Sequence, residues 1–235
     1  MNVIDILILA ALAVSVIFGM YRGFISGVLS VAALIGAAAK ITGRPVSLVF
    51  NQFQNITYTG KRSPAFMHIK LGADKDGKLL AMWGDNYVDH GPYSEFGDLL
   101  TMRLSQFTGA GYGIPSIRNK SQTVFTNHAW GSAFRAYGSP QSFMGSDIAI
   151  DCLAAKMGID PFEMRAMNCY KASEHTTIPT GYAPDVYCEE ELFDKARPLY
   201  EAAKKRVAEK NAASDGRYKY GIGLSLGVYG CGLDG

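Results

Sequence analysis

Two apolar runs without a charged residue occupy most of the first forty positions of the chain. They span residues 6–21 and 23–39. At 1.5 Å per residue, each run makes roughly 25 Å of helix, slightly less than the ~30 Å hydrocarbon core of a bilayer. The pattern favours a transmembrane helical hairpin over residues 1–39, with a pair of soluble core helices as the alternative.

Basic residues follow the second apolar run. Lys40, Arg44, Lys61 and Arg62 all lie within its downstream flank. Because positive charge marks the cytoplasmic side of a membrane segment, the hairpin predicts an inner-membrane protein whose larger part is cytoplasmic. If the first helices are soluble, the whole chain is expected to be cytoplasmic.

Short β-prone runs separated by turn residues characterise much of the remaining chain. They predict strands at residues 42–53, 65–73, 78–91, 121–127 and 218–230. The second and third form a hairpin around Asp74–Gly77, where Gly77 supplies the positive φ that such a turn needs.

Helical spacing of apolar residues alternates with these runs. It predicts helices at residues 96–107, 139–158, 160–170 and 189–211. The first has apolar residues at helical spacing, Leu99, Met102 and Phe107 among them. The second should begin with Ser139 as N-cap and Pro140 at the first helical position and stop at Gly158, and the third should begin with Asp160 as its cap. Helices and strands are mixed without strict βαβ alternation, which predicts an α+β domain over residues 40–235.

Composition narrows the function classes. The chain has 235 residues and a net charge of +2, and its densest basic cluster is only Lys204–Arg206, so no nucleic-acid partner is expected. Cys152, Cys169, Cys188 and Cys231 are far apart. Because no C-x-x-C pair is present, the spacing favours buried or unreactive thiols in a reducing compartment, and no zinc or iron–sulfur site built from this chain alone is expected.

One small-residue loop carries the main chemical signal. "WGSAFRAYGSPQ", residues 130–141, places Arg135 among Gly, Ser and Ala between a predicted strand and a predicted helix. Exposed backbone N–H groups, a helix N-terminus and a planar guanidinium together suit an anionic or oxygen-rich group: phosphate, carboxylate or an oxo-metal ligand. The alternative is an arginine paired with a local carboxylate. His90 and His128 lack a visible nucleophile beside them, which favours structural roles.

The order of motifs resembles a known family. "GRPV", "GKRSPAF", "NHAWGSAFRAYGSPQ" and "MGIDPFEMRAMNCYK" occur in this order, and over about residues 37–235 the chain resembles the molybdenum hydroxylases. These include xanthine dehydrogenases and, more similar still, bacterial aldehyde oxidoreductases. "DHGPYSEFGDLL" and "GVYGCGLDG" favour the aldehyde oxidoreductase branch.

The resemblance implies hydroxylation of an aldehyde substrate to a carboxylic acid at a molybdenum–molybdopterin cofactor, in the cytosine dinucleotide form. It implies that Arg135 is catalytic, that Ala133, Phe134, Arg135 and Ala136 bind the cofactor, and that Phe96, Leu99, Tyr137 and Leu233 line the substrate channel. Iron–sulfur clusters are expected only on the remaining oxidoreductase domains, which would be partners of this chain.

Two departures from the family pattern accompany the resemblance. The family's pterin-binding loop precedes "GRPV", where this chain has its apolar segment, and the family's catalytic glutamate falls beyond residue 235. A fragment that is inactive alone is therefore expected. The first 35 residues, with "NVIDILIL" and "G-x-x-RGFI-x-G", resemble the colicin V production protein family. That resemblance implies the alternative function, an inner-membrane protein with a non-catalytic fused domain.

Overall fold

The computed structural model describes residues 24–93, 96–174, 176–181 and 183–228. The helices are α1 (Phe24–Thr42), α2 (Gln52–Tyr58), α3 (Gly97–Phe107), α4 (Ser139–Met157), α5 (Pro161–Asn168) and α6 (Glu189–Ala213). The strands are β1 (Ala65–Ala73), β2 (Leu79–Asp89) and β3 (Ser116–Val124), which form one sheet in the order β1–β2–β3. The mixed content confirms the α+β prediction.

The chain forms two compact units that interleave along the sequence. The first unit comprises the described parts of residues 1–66, 87–101 and 122–137. The second comprises residues 67–86 and 102–121 with the described parts of 138–235. The small-residue loop up to Tyr137 belongs to the first unit. The two units do not test the predicted domain boundary between residues 39 and 40, which stays a prediction.

The predicted hairpin is confirmed. β1 and β2 are joined by a turn in which the Asp74 carboxylate accepts hydrogen bonds from the amides of Asp76 and Lys78, each at 2.9 Å. Gly77 has φ of 92°. The positive φ of Gly77 is the feature that the sequence predicted, and the hydrogen bonds of Asp74 to the backbone of its own turn stabilise the same turn.

The second unit is built on an apolar core between the hairpin and the two helices that follow the loop. Its fully buried members are Leu79, Tyr112, Ile150, Ala154 and Met164. The end of α4 at a left-handed Gly158 confirms the predicted stop signal. Asp160 caps α5 as expected, since its carboxylate accepts from the Phe162 amide at 2.8 Å.

Helix α4 begins differently from the prediction. Its N-cap is Gly138, with φ of 90°, and no side chain caps the helix. Ser139 is the first helical residue and is 1% exposed. Glycine takes the cap because the chain enters this helix through a left-handed residue, where a serine would be strained.

The helix predicted at residues 96–107 is present as α3, and it buries other residues than the apolar ones that indicated it. Leu100 and Leu104 are the buried residues, whereas Met102 is 46% exposed and Leu99 is half-buried. Residues four apart share a helix face, so this register turns Met102 away from the core.

Two predicted strands are not formed in the part of the chain that the structure describes. The segment 42–53 is divided between the end of α1, an exposed stretch and the start of α2, and residues 218–228 hold no strand. Asn51 begins α2 through a capping box with Gln54, at 2.8 and 3.0 Å. β-propensity yields a strand only where a neighbouring strand pairs with it, and the described residues offer no such neighbour.

The predicted membrane hairpin is not supported by the described residues. Its first run, residues 6–21, lies outside the described residues, and its second run is helical as α1. Among the described residues no helix combines the length and the apolar character needed to cross a bilayer.

Candidate functional site

The loop after β3 is fixed to a strap formed by residues 60–63. The Lys61 amide donates to the Trp130 carbonyl at 3.1 Å, and the Ser132 amide donates to the Lys61 carbonyl at 2.9 Å. These bonds make a short parallel bridge between Lys61 and Gly131. The backbone of the loop is therefore set by a second segment of the first unit rather than by the loop itself.

Gly131 is required by its close packing on this strap. A Cβ at this position would lie 2.2 Å from Ser63 Oγ and 2.8 Å from His90 Nδ1, both impossible contacts. Ser63 and His90 are buried and share a 2.7 Å hydrogen bond, and the Gly131 amide donates to the His90 carbonyl at 3.0 Å. Burial lowers the pKa of His90, which favours its neutral, structural form.

Asp89 anchors the start of the same loop. Its carboxylate is 2% exposed and accepts from Thr126 Oγ1 and His128 Nδ1 at 2.5 Å, and from the Gly91 amide at 3.0 Å. Burial alone would raise the Asp89 pKa, but these hydrogen bonds and the His128 charge outweigh it, so the pKa is lowered. The Asp89–His128 pair therefore holds the loop, in agreement with the structural role expected for His128.

The chain then makes a tight turn with unusual backbone geometry. The Tyr137 amide donates to the Phe134 carbonyl at 3.0 Å, which closes a four-residue turn around Arg135 and Ala136. Ala136 has φ of 67° and Tyr137 has φ of 22°. Non-glycine residues with positive φ are strained by about 1–3 kcal/mol each, and such strain concentrates at functional sites.

Arg135 projects from this turn as an exposed cation. Its guanidinium has no hydrogen bond or ion pair within the described ranges of the chain. Ala133 beside it is exposed and Ala136 is half-exposed, so small side chains surround the cation. The local carboxylate pairing considered as an alternative is not seen among these residues.

Arg62 of the strap reaches the turn, and the sequence reasoning missed it as a functional residue. Its Nη2 donates to the Arg135 carbonyl at 2.6 Å, and its guanidinium stacks over the Phe134 ring at 4.8 Å from the centroid. Burial lowers the pKa of Arg62. The motif "GKRSPAF" contained this arginine, but no sequence signal connects it to a carbonyl 73 positions away.

Two of the predicted channel residues are brought together. Tyr137 Oη donates to the Phe96 carbonyl at 2.8 Å, and the two rings meet edge to face at 6.5 Å. Leu99 lies half-buried on α3, three residues after Phe96, and Leu233 lies outside the described residues. The predicted cofactor residues Ala133, Phe134, Arg135 and Ala136 are continuous with Tyr137 on the turn.

Comparison with known proteins identifies the family to which this chain belongs. Residues 23–169 match the family model described as "Molybdopterin cofactor-binding domain". The chain belongs to that family, which confirms the resemblance to molybdopterin enzymes. The match takes in α1, where a membrane segment was predicted, and the comparisons do not show the colicin V resemblance.

Individual relatives agree with this assignment. The chain is 53% identical over 203 residues to "Aldehyde oxidoreductase" of Megalodesulfovibrio gigas, covering 86% of this chain and 22% of that protein. It is 32% identical over 130 residues to "Nicotinate dehydrogenase large molybdopterin subunit" of Eubacterium barkeri, covering 55% and 31%. The solved structure of the aldehyde oxidoreductase from Desulfovibrio desulfuricans aligns with a TM-score of 0.68 and 55% identity, over 75% of this chain and 19% of that one. The chain thus spans about a fifth of the length of these aldehyde oxidoreductases.

Proposed function

We propose that this chain contributes the Arg135 turn to the molybdopterin site of an aldehyde-oxidising enzyme. The observation that carries the proposal is an exposed arginine on a strained turn, within the residues that match the molybdopterin cofactor-binding family. The 53% identity to an aldehyde oxidoreductase supports an aldehyde as the substrate.

The residues of the turn fit an oxygen-rich anionic group such as molybdopterin, which carries a phosphate. Arginine offers a rigid fork of donors to phosphate and other oxygens. Ala133 and Ala136 leave the backbone open to close approach, and Phe134, which is 51% exposed, offers an apolar surface beside the cation. No acidic side chain in the described part of the chain pairs with Arg135 to oppose an anion.

Each residue of the turn then has a separate role. The bound cofactor, in our proposal its cytosine dinucleotide form, supplies the molybdenum centre at which an aldehyde is hydroxylated to a carboxylic acid. Arg135 donates hydrogen bonds to oxygen atoms at that centre and stabilises the negative charge that develops there. Ala133, Phe134 and Ala136 shape the backbone that binds the cofactor.

Apolar residues of the first unit guide the substrate in this proposal. Phe96 and Tyr137 form one wall through their ring contact and the Tyr137–Phe96 hydrogen bond. Leu99 is a further channel residue of the same unit in this proposal, and Leu233, which lies outside the described residues, stays a prediction from the sequence. Electron transfer through iron–sulfur clusters belongs to other domains of the longer enzyme, and the proposed activity is that of the longer enzyme.

A chimera tests the proposal. Residues 23–235 of this chain replace the aligned segment of the Megalodesulfovibrio gigas aldehyde oxidoreductase, and the purified protein is analysed for molybdenum and pterin. We expect a metal-loaded protein that oxidises acetaldehyde and benzaldehyde, and that loses turnover when Arg135 is replaced by methionine. Nicotinate is assayed in parallel, since one relative carries that name.

Two results contradict the proposal: a chimera that melts like a native protein but holds no molybdenum, and a loaded chimera that oxidises nicotinate but no aldehyde. Because a large exchange can prevent folding, a second chimera transfers only residues 60–63 and 130–137. It keeps the host core and is judged by the same two criteria.

A further inference from the structure

The turn around Arg135 cannot be stable by its own sequence. Ala136 and Tyr137 both have positive φ, which glycine or asparagine would adopt at less cost. Phe134 and Arg135 are exposed, so burial does not hold them in place. Contacts from outside the turn must therefore select this conformation.

Tyr137 is fixed from one side. Its hydroxyl bonds to the Phe96 carbonyl and its ring packs on the Phe96 ring. These contacts hold the end of the turn, but they leave the peptide of Arg135 itself without an anchor on that side.

Arg62 supplies the second anchor. Its Nη2 donates a 2.6 Å hydrogen bond to the carbonyl of Arg135, and the central carbon of the same guanidinium lies over the Phe134 ring, 4.8 Å from the centroid. A charged donor makes a stronger bond to a carbonyl than a neutral one does. The two contacts are made to Phe134 and Arg135, the first two residues of the turn.

The strap gives Arg62 a fixed base. The residues on either side of it are tied down, Lys61 by two backbone bonds to the loop and Ser63 by its buried bond to His90. The Arg62 side chain therefore links the peptide of Arg135 to the strap.

We propose that Arg62 is a positioning residue that holds the peptide of Arg135, and so aims the Arg135 guanidinium. Arg62 acts through Arg135 and does not itself touch the reacting atoms. The guanidinium donates from Nη2 while its central carbon lies over Phe134, whereas a lysine ammonium is a single point charge and would have to meet the carbonyl and the ring from one nitrogen. Both Arg62→Ala and Arg62→Lys should therefore loosen the turn, the alanine variant more strongly.

The first experiment measures the turn in the full 235-residue chain, without cofactor. Amide hydrogen exchange of the Tyr137 N–H reports the bond that closes the turn, and we expect Arg62→Ala to speed it by at least about tenfold. Amides of α4 and α5 in the second unit should be unaffected. Arg118→Ala, which removes an exposed arginine from β3, is the matched control and should change neither region.

A second readout uses tryptophan fluorescence. The chain has two tryptophans, so Trp83→Phe leaves Trp130, whose carbonyl bonds to the strap, as the single reporter. Arg62→Ala in this background should raise the quenching of Trp130 by acrylamide, and Arg118→Ala should not.

The second experiment rests on the proposed function and uses the aldehyde-oxidising chimera. Arg62→Ala should lower kcat by at least about tenfold at unchanged molybdenum content. Combined with Arg135→Met, it should add little further loss, because a residue that acts through Arg135 has no effect once Arg135 is removed. Arg62→Lys should restore part of kcat.

The outcomes separate the two proposals. If the parent chimera does not oxidise aldehydes while Arg62→Ala still speeds exchange at Tyr137, the proposed function fails and the holding of the turn by Arg62 stands. Exchange at Tyr137 within about twofold of the wild-type rate overturns the positioning role. A variant that speeds exchange throughout both units also overturns it, because Arg62 would then serve the fold in general.

Discussion

Arg165 of the second unit and Arg135 of the first show two opposite uses of one residue type. Arg165 is 0% exposed and bonds to the Asp151 carboxylate at 2.6 Å and to the Asp147 carbonyl at 3.2 Å. Asp147 in turn accepts hydrogen bonds from Tyr112 and Ser225. Arg135 is exposed and has no such partner within the described ranges of the chain.

The difference lies in what each cation is arranged to satisfy. Both terminal nitrogens of Arg165 meet carboxylate or carbonyl groups of its own unit, and its Nε lies 3.4 Å from the Asp147 carboxylate, so the cation is paired within the protein. Arg135 stands beside residues whose backbone costs energy to hold, and its guanidinium has no partner in the described part of the chain. This combination of an unpaired cation and a strained turn is the observation on which the proposed function rests.

Removal of the buried arginine should have the largest effect on stability. Arg165→Met leaves Asp147 buried without its cation, and breaking a buried ion pair in this way costs about 3–5 kcal/mol. Urea denaturation of the 235-residue chain measures the change in the free energy of unfolding. Lys195→Met is the control, since it breaks an exposed pair with Glu191 and should leave that free energy nearly unchanged. Equal losses in the two variants would remove the contrast on which the comparison depends.

The sequence revealed the features that are local to a few residues. The Asp74–Gly77 turn, the Asp160 cap and the Gly158 stop each depend on neighbours within four positions, and each is present. The two predicted strands did not form in the described part of the chain because strand pairing depends on segments that are distant in the sequence, and β-propensity carries no information about those segments.

The features of the candidate site also fall into two groups, those that the sequence indicates and those that only the folded structure shows. The small-residue loop and its arginine could be found from the motif at residues 130–141. The anchor from Arg62, the positive φ of Ala136 and the burial of Arg165 could not, because each is fixed by contacts between distant segments. Nothing in "GKRSPAF" or "MRAM" indicates which arginine is buried and which one supports a turn.

Replacement of Asp89, which anchors the loop, should have an intermediate and pH-dependent effect on the free energy of unfolding. The Asp89 pKa is lowered in the folded protein, so its contribution to stability is present above the ordinary carboxyl pKa of about 4 and is lost as the pH falls through the folded value. Asp89→Asn should therefore cost about 1–3 kcal/mol at pH 7, where hydrogen bonds to a charged acceptor are lost, and progressively less below pH 4.

Urea midpoints measured from pH 7 to pH 3 test this prediction. The wild-type and Asp89→Asn curves should converge at low pH, while Asp194→Asn, an exposed change on α6, should run parallel to the wild type. A constant gap between the wild-type and Asp89→Asn curves at every pH would show that Asp89 acts through packing and not through its charge.

The smallest effect on stability is expected at Arg135, and it provides the most direct test of the central claim that this arginine serves a site. In the aldehyde-oxidising chimera, Arg135→Lys keeps the charge but loses the planar fork. Turnover per bound molybdenum should fall on the order of 10²–10³-fold, as when one transition-state donor is removed, while the free energy of unfolding changes by no more than about 0.5 kcal/mol. A variant that melts many degrees lower but retains wild-type turnover per molybdenum would show instead that Arg135 is a structural residue.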